Sequence, residues 1–446
     1  MGVKTAALLR AGLLLGAVAA LPVTTAGLAA VDGRIAPQFG RLFTVYQLVK
    51  ANYVDPTDDD KLVKGAIDGM LASLDPHSSY LEGASLERLD TMIDGSYAGL
   101  GLSVVMDDSA VKVVSPMRGS PAEKAGVKAG DYITHLDGKL IYGGDLDEAV
   151  AQMRGPAGTQ IRLTIYRPGR DQPFDVTVTR GVIELRPVTS SVDGTIGIIT
   201  VNEFSRDVGK EAWQAIQDMR KQTGGRLSGL VLDLRSNPGG ALDEAVALGD
   251  LFITKGDIVS QRGRRPSENI VYRAETVFPG DAAAGLPLIV LIDAGSASAS
   301  EIVAGALQDD HRALVMGERS FGKGSVQTMI RLDKDHAVKL TTARYYTPSG
   351  RSVQEGGIQP DVRVPQITDP DARKRNEDAV RESDLRGHLV NEAGVDDKKL
   401  EADKTPDPRF KMSAEELKTK GITDFQLWYA LQTLRHAANG VVVPRR

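Results

Sequence analysis

Apolar positions change their spacing along the chain, and each change predicts a different kind of structure. Between Phe39 and about Asp94 they recur three and four apart, as Leu42, Val45, Tyr46 and Val49 and again as Leu62, Ile67, Met70 and Leu71, which is the spacing of a helix face. Asn52-Tyr53-Val54-Asp55-Pro56 breaks the two helices, and Leu74-Asp75-Pro76-His77-Ser78-Ser79-Tyr80 makes a second stop from a proline and capping residues. From about Tyr97 to Arg180 the pattern turns to short alternating runs, such as Val111 to Val114 and Ile161 to Tyr166, with two short helices and many glycines. That predicts a compact β-rich module, in which Ser120-Pro121-Ala122-Glu123 starts a helix.

Strands and helices alternate from about Gly194 to Val364. The predicted elements are strands over Ile196 to Phe204, Gly229 to Arg235 and Pro287 to Ile292, and helices over Gly209 to Gln222, Ala241 to Phe252 and Ser300 to Gln308. This alternation argues for an α/β core with a partly parallel sheet, whose sites lie at the carboxyl ends of strands. Beyond Pro365 the chain is highly charged through Lys404, then regains helical spacing at Ala414 to Lys420 and Phe425 to Ala437. The expectation there is a polar connector followed by a docking or dimerising helix.

Composition adds few constraints. A chain of 446 residues with 41% hydrophobic content exceeds what one core organises, so two or three domains are expected. The net charge of -5 comes from interspersed acids and bases without a single-sign tract, which argues against nucleic-acid binding. Lys4 and Arg10, the apolar stretch Ala11 to Leu21 and small residues around Thr24 to Ala30 read as an export signal, or alternatively an uncleaved membrane anchor. The expected location is therefore periplasmic or otherwise extracytoplasmic. With no cysteine, disulfides and thiol catalysis are excluded. No cluster has metal-ligand spacing, no cofactor is expected, and Asp58-Asp59-Asp60 reads as a solvated loop and helix start.

Two strand ends carry candidate chemistry. The first is Gly295-Ser296-Ala297-Ser298-Ala299-Ser300-Glu301, where small neighbours leave a hydroxyl accessible and a helix start offers free N–H groups. Ser296, Ser298 and Ser300 are each either caps or a nucleophile, and the amide of Ala299 can bind an oxyanion. The second is Asp233-Leu234-Arg235-Ser236-Asn237-Pro238-Gly239-Gly240, whose paired glycines free an amide to face a ligand oxygen. Sequence does not choose between Gly239 and Gly240. None of the six histidines lies in a triad motif, so a base must come from elsewhere. Lys323, between glycines in a loop expected between two strands, can act as a neutral amine if buried. Gln327 can orient it, while Glu301 is explained equally well by complementing the helix field.

The β-rich module resembles a PDZ domain, with Gly99-Leu100-Gly101-Leu102 as the loop whose amides face an anion and whose leucines line a pocket. The resemblance implies a groove that adds a peptide as an extra strand and clasps its terminal carboxylate. Over nearly its whole length beyond the export segment the chain also resembles the carboxyl-terminal processing peptidases, or tail-specific serine proteases. The match runs through LDPHSSYL at 74–81, DLRSNPGG at 233–240, GSASASEI at 295–302, GERSFGKGSVQ at 317–327 and YYTPSGRSVQEGGIQPD at 345–361. It implies an α/β, mixed-sheet protease core with an inserted PDZ domain and helical N- and C-terminal regions. The expected divisions are 1–30 export segment, 31–94 helical region, 95–182 PDZ domain, 183–365 protease core, and 366–446 charged connector and C-terminal helices.

By the same resemblance Ser298 is the nucleophile, Lys323 the general base and Gln327 its orienter, since the family's serine and lysine stand 25 positions apart, as 298 and 323 do. It further implies cleavage of exported proteins near apolar C-terminal tails, a switching role for Arg154, a homodimer formed through terminal helices, and a possible adaptor or activator protein. A noncatalytic PDZ scaffold or a binding protein on the same core is the alternative. Retention of both serine and lysine at family spacing counts against it.

Overall fold

Strands buried on both faces read as unbroken apolar runs, and the centre of this fold is built from them. In the computed structural model Gly229–Asp233 and Leu288–Ile292 are buried at every position. They lie in the middle of a six-stranded sheet ordered Val188–Asp193, Ile196–Val201, Gly229–Asp233, Leu288–Ile292, Leu314–Gly317, Val362–Arg363. The first pair is antiparallel and the rest are parallel. Residues 36–438 are described, apart from 108–109, 118, 142–145, 185, 275–279, 370–372, 374–378, 395–409 and 411. The expected export segment lies outside them. Among the described residues no helix is long and apolar enough to cross a membrane.

Alternate residues of each strand serve opposite faces. Ile199, Leu230, Leu232, Val290 and Ile292 pack with the helices Val208–Gln222, Leu242–Asp250 and Ala299–Asp309. Ile196, Ile198, Val231, Ile289 and Leu291 pack instead with Leu417, Phe425, Leu431 and Leu434. The C-terminal helix Phe425–Ala438 thus docks on its own chain's sheet, and burying each of its large apolar side chains contributes about 2 kcal/mol. Arg235 fastens the same helix start, donating to Asp424 at 2.9 and 2.7 Å and to Gln426 at 3.1 Å.

A second sheet of five strands holds Ser79–Glu82, His336–Tyr346, Asp257–Gly263 and Ile270–Arg273 in that order, with Ser325–Arg331 also paired to His336–Tyr346. The region read as wholly helical contributes the helices Ala36–Asn52, Asp59–Ala72 and Gly83–Asp94, but also this Ser79–Glu82 strand. Asp58 caps the second of those helices through the N–H of Lys61. On the first, Phe39, Leu42, Phe43, Val45 and Leu48 are exposed.

The inserted module has its own core around Val111, Ile133, Leu136, Ile161, Leu163 and Ile165. Its sheet runs Leu102–Asp107, Ala110–Pro116, Tyr132–Leu136, Gln160–Tyr166, Phe174–Thr179, which leaves Leu102–Asp107 at an edge. Ser120 caps the short helix Pro121–Lys124, as its sequence predicts. Ser96–Gly99 pairs with Gly181–Glu184 where the chain enters and leaves, two residues past the boundary expected at 182.

Candidate active site

The ends of two neighbouring parallel strands interlock to form one wall of the site. Asp293, at the end of Leu288–Ile292, accepts from the N–H of Ser236 at 2.7 Å and of Gly295 at 2.9 Å, so one carboxylate fixes both turns. The N–H of Ala297 donates to Asn237 O at 3.0 Å. Buried Asn237 holds the glycine turn in place, with its side chain donating to Val201 O at 2.8 Å and accepting from the N–H of Gly239 at 2.9 Å.

The three serines separate by what their hydroxyls do. Ser296 is buried and donates to Leu234 O at 2.8 Å, and Ser300 is buried and donates to Asn237 O at 2.9 Å. Ser298 is half-buried and stands immediately before the helix Ala299–Asp309 with φ 54° and ψ -111°. A serine is held in that strained region only where its surroundings fix it. A Cβ on Gly239, itself at φ 101°, would come within 2.8 Å of Ser298 Cβ and 3.0 Å of Ala299 N, so only glycine lets the two turns approach. The N–H groups of Ala299 and Gly240 make no hydrogen bond among the described residues, whereas that of Gly239 is taken by Asn237.

Lys323 enters from the second sheet, in the loop before Ser325–Arg331. Burial pushes its ammonium down to about 8, helped by the like charge of Lys339 and opposed by Glu382, Glu301 and Asp75. Glu301 ties this loop to the turn of Ser298. Fully buried, it accepts from the N–H of Ser298 (2.8 Å) and Lys323 (3.0 Å) on one oxygen, and from Gly322 N–H (2.7 Å) and Ser320 Oγ (2.5 Å) on the other. Burial pushes its carboxyl up to about 7 against those four donors. Buried Tyr345 makes a second tie, its hydroxyl bonding Ser298 O at 3.1 Å and also Lys323 O. The N–H of Phe321 adds a third by donating to Ser296 O at 2.9 Å.

Gln327 donates to Ser325 Oγ at 2.9 Å and Thr341 Oγ1 at 3.2 Å, and no bond to Lys323 is found among the described residues. Thr341 in turn donates to Asp75 at 3.1 Å. Although burial opposes it, bonds from Ser78, His77 and Thr341 hold the Asp75 carboxyl below its usual range. The stop at 74–80 is therefore a wall of the site. Sequence reading missed the parts played here by Glu301, Tyr345, Asp75 and Thr341. Tyr345 and Asp75 lie inside the family-like stretches at 345–361 and 74–81, which were the available signal.

In the inserted module Leu100 is 2% exposed and belongs to the core, with its carbonyl accepting from Ala122 N–H at 3.0 Å. Gly101 adopts φ 72° against Ser120, and Leu102 begins the edge strand. Arg154 lies over the Tyr97 ring, 4.8 Å from its centre, and donates to Thr91 Oγ1 at 3.1 Å. It thus joins the module to the helix Gly83–Asp94.

Comparison with known proteins gives concordant results. Residues 195–364 match peptidase family S41, residues 112–167 a PDZ domain, and residues 26–85 the activating protease CtpB N-terminal domain. A carboxy-terminal-processing protease of Bartonella bacilliformis is 48% identical over 353 residues, covering 79% of this chain and 80% of that one. The carboxy-terminal processing protease CtpA of Bacillus subtilis is 38% identical, covering 73% of this chain and 69% of its own. Among solved structures, a photosystem II D1 C-terminal processing protease is 32% identical, covers 76% of this chain and 92% of its own, and has a TM-score of 0.44.

Proposed function

Because the chain belongs to peptidase family S41 and carries a PDZ domain, we propose that it is a carboxy-terminal processing protease that cuts exported proteins near their C-termini with Ser298 and Lys323. One observation carries the reading. Of the three serines, Ser298 alone has a hydroxyl with no hydrogen bond among the described residues, and its turn is fastened by Glu301 to the loop of a lysine with weakened proton affinity.

In this reading Ser298 Oγ attacks the scissile carbonyl carbon as neutral Lys323 Nζ takes the hydroxyl proton. The oxyanion that forms accepts from the N–H of Ala299 and of a glycine, each such donor being worth about 3 kcal/mol. The free N–H of Gly240 supports that residue over Gly239. Lys323 passes that proton to the leaving amine as the C–N bond breaks; neutral again, its Nζ takes a proton from the water that attacks the acyl carbon and gives it to Ser298 Oγ as the ester bond breaks. Gln327 is placed to steady the wall beside Lys323 through Thr341.

The edge position of Leu102–Asp107 supports capture of an apolar tail as an added strand, with Gly99 to Leu102 receiving its carboxylate. Arg154 supports a switching role through its bond to Thr91, and peptide activation unchanged in Arg154→Ala would remove that role. The exposed apolar residues of Ala36–Asn52 support a homodimer formed through that helix, which sedimentation of Phe43→Glu tests. An extracytoplasmic location fits the export-like segment 1–30 and substrates of this class.

The deciding experiment uses Ser298→Ala and Lys323→Ala, checked for folding by circular dichroism, on a substrate with an apolar tail. Both lose cleavage, and the proteins whose C-termini lengthen in cells bearing Ser298→Ala are the substrates. Robust cleavage by Lys323→Ala at neutral pH refutes the dyad.

A further inference from the structure

The stretch after Val364 reads as a polar connector, yet Arg381 and Glu382 within it are buried, at 8% and 0% exposed. Both grip the loop that carries Lys323. Arg381 Nη1 donates to Arg319 O at 2.7 Å and Ser320 O at 2.8 Å, and the N–H of Glu382 donates to Phe321 O at 3.3 Å. On the other side of Lys323, Gln354 Nε2 donates to Glu382 Oε1 at 3.0 Å while Gln354 Oε1 accepts from the N–H of Gly324 at 2.9 Å. His77 Nε2 closes the chain of contacts, 2.8 Å from Glu382 Oε2. The connector thus holds the loop on both sides of Lys323 and brings a carboxylate near enough for its charge to act on the lysine.

We propose that Glu382 is a positioning residue for Lys323, holding the base's loop through Phe321 and Gln354 and adding a negative charge to the lysine's surroundings. A purely structural connector would need no buried carboxylate here, since an amide oxygen could accept from Gln354 while its NH2 faced the His77 ring, without the cost of burying charge. Among the described residues the charged and titratable groups around Lys323 include Glu301 from its helix, Lys339 and Tyr345 from the adjoining strand, Asp75 from the lead-in stop and Glu382 itself. Among the described residues Glu382 is faced by His77 from the lead-in, Lys323 from its loop, Tyr345 from the strand and His388 from the connector. Its charge strengthens the hold of Lys323 on a proton, against burial and Lys339.

This inference rests on Lys323 being the base, and the test separates the two. In the full chain, kcat and KM on a tailed substrate are measured from about pH 6 to about pH 10 for the wild type and for Lys323→Ala, Glu382→Gln, Glu382→Asp and Glu382→Ala. With burial pushing Lys323 down to about 8, the acidic limb of the wild-type kcat/KM profile is expected near pH 8. Glu382→Gln keeps an oxygen for Gln354, turns its NH2 toward the His77 ring and loses the charge, so its limb moves to lower pH by about half a unit or more, and Glu382→Asp brings it back toward the wild type. Glu382→Ala also cuts the link to Gln354, lowering kcat about tenfold or more with KM little changed. If that variant does not fold, Gln354→Leu cuts the link from its other end. An unmoved limb in Glu382→Gln, with Lys323→Ala inactive, overturns this proposal alone. Cleavage by Lys323→Ala overturns the base assignment and this proposal with it.

Discussion

Replacing Glu301 tests whether the turn of Ser298 and the loop of Lys323 are held together by one buried carboxylate. In Glu301→Ala the N–H groups of Ser298, Lys323 and Gly322 and the hydroxyl of Ser320 lose their shared acceptor. Each buried donor left without a partner costs about 1–3 kcal/mol. Ser320 loses least, because its oxygen still accepts from Ile358 N–H at 2.7 Å and its proton can turn elsewhere. Water entering the vacated space recovers part of the remainder. The net loss is about 3 kcal/mol, which lowers the melting temperature of a domain this size by about 6–12 °C. Activity falls further than stability, since a displacement of about 1 Å between reacting groups can cost about 100-fold. Glu301→Gln keeps the volume but turns an NH2 toward a pair of donors, so it fares little better. The assays are thermal unfolding followed by circular dichroism, and kcat/KM on a tailed substrate. A Glu301→Gln enzyme that melts within about 1 °C of the wild type and keeps its kcat/KM refutes the reasoning.

Cleavage should rise with pH through about 8 as Lys323 loses its proton. Lys339→Met removes a like charge, raises the proton affinity of Lys323 and moves that limb to higher pH, and a limb that stays or falls would count against the assignment. Gly239→Ala forces a Cβ to within 2.8 Å of Ser298 Cβ, and a loss in kcat of about 100-fold is expected; a rate within about twofold of the wild type contradicts this. Arg235→Ala strands Asp233 and Asp424, at a cost of about 3 kcal/mol. Hydrogen exchange across Phe425–Ala438 should then speed up, and unchanged protection there would show that apolar packing alone holds the helix.

What sequence reveals here follows from where burial leaves a local pattern. Gly229–Asp233 and Leu288–Ile292 are legible because a strand covered on both faces has apolar residues throughout. The second sheet is not, because Ser325–Arg331 is only partly buried along most of its length and Ser79–Glu82 is four residues long. Ser298 and Lys323 are singled out by their motifs, and the structure adds that the hydroxyls of Ser296 and Ser300 are occupied. Leu100 is a different case, since a leucine beside a loop can line a pocket or fill a core, and here it fills the core. Glu382 had no local signal at all. A buried acid in a charged stretch looks like its exposed neighbours until its partners are known, and His77 stands 305 positions away.

Ser298 follows a strand of the first sheet and Lys323 precedes one of the second, so their relation depends on how firmly those sheets are joined. The turn of Ser298 is set by Asp293 and Asn237 at the ends of fully buried parallel strands, surroundings with little freedom to shift. Lys323 leads into Ser325–Arg331, whose partner His336–Tyr346 also pairs with Ser79–Glu82. From Ser79–Glu82 the chain passes directly into Gly83–Asp94 and then into Ser96–Gly99 at the base of the inserted module. Arg154 clasps Thr91 on that intervening helix. If Arg154 acts as proposed, a tail that shifts the module meets the base's side of the site before the nucleophile's. Glu301 and Tyr345 are then the contacts that decide whether the shift brings the lysine toward the serine or is absorbed, because they alone join both residues through side chains among the described residues.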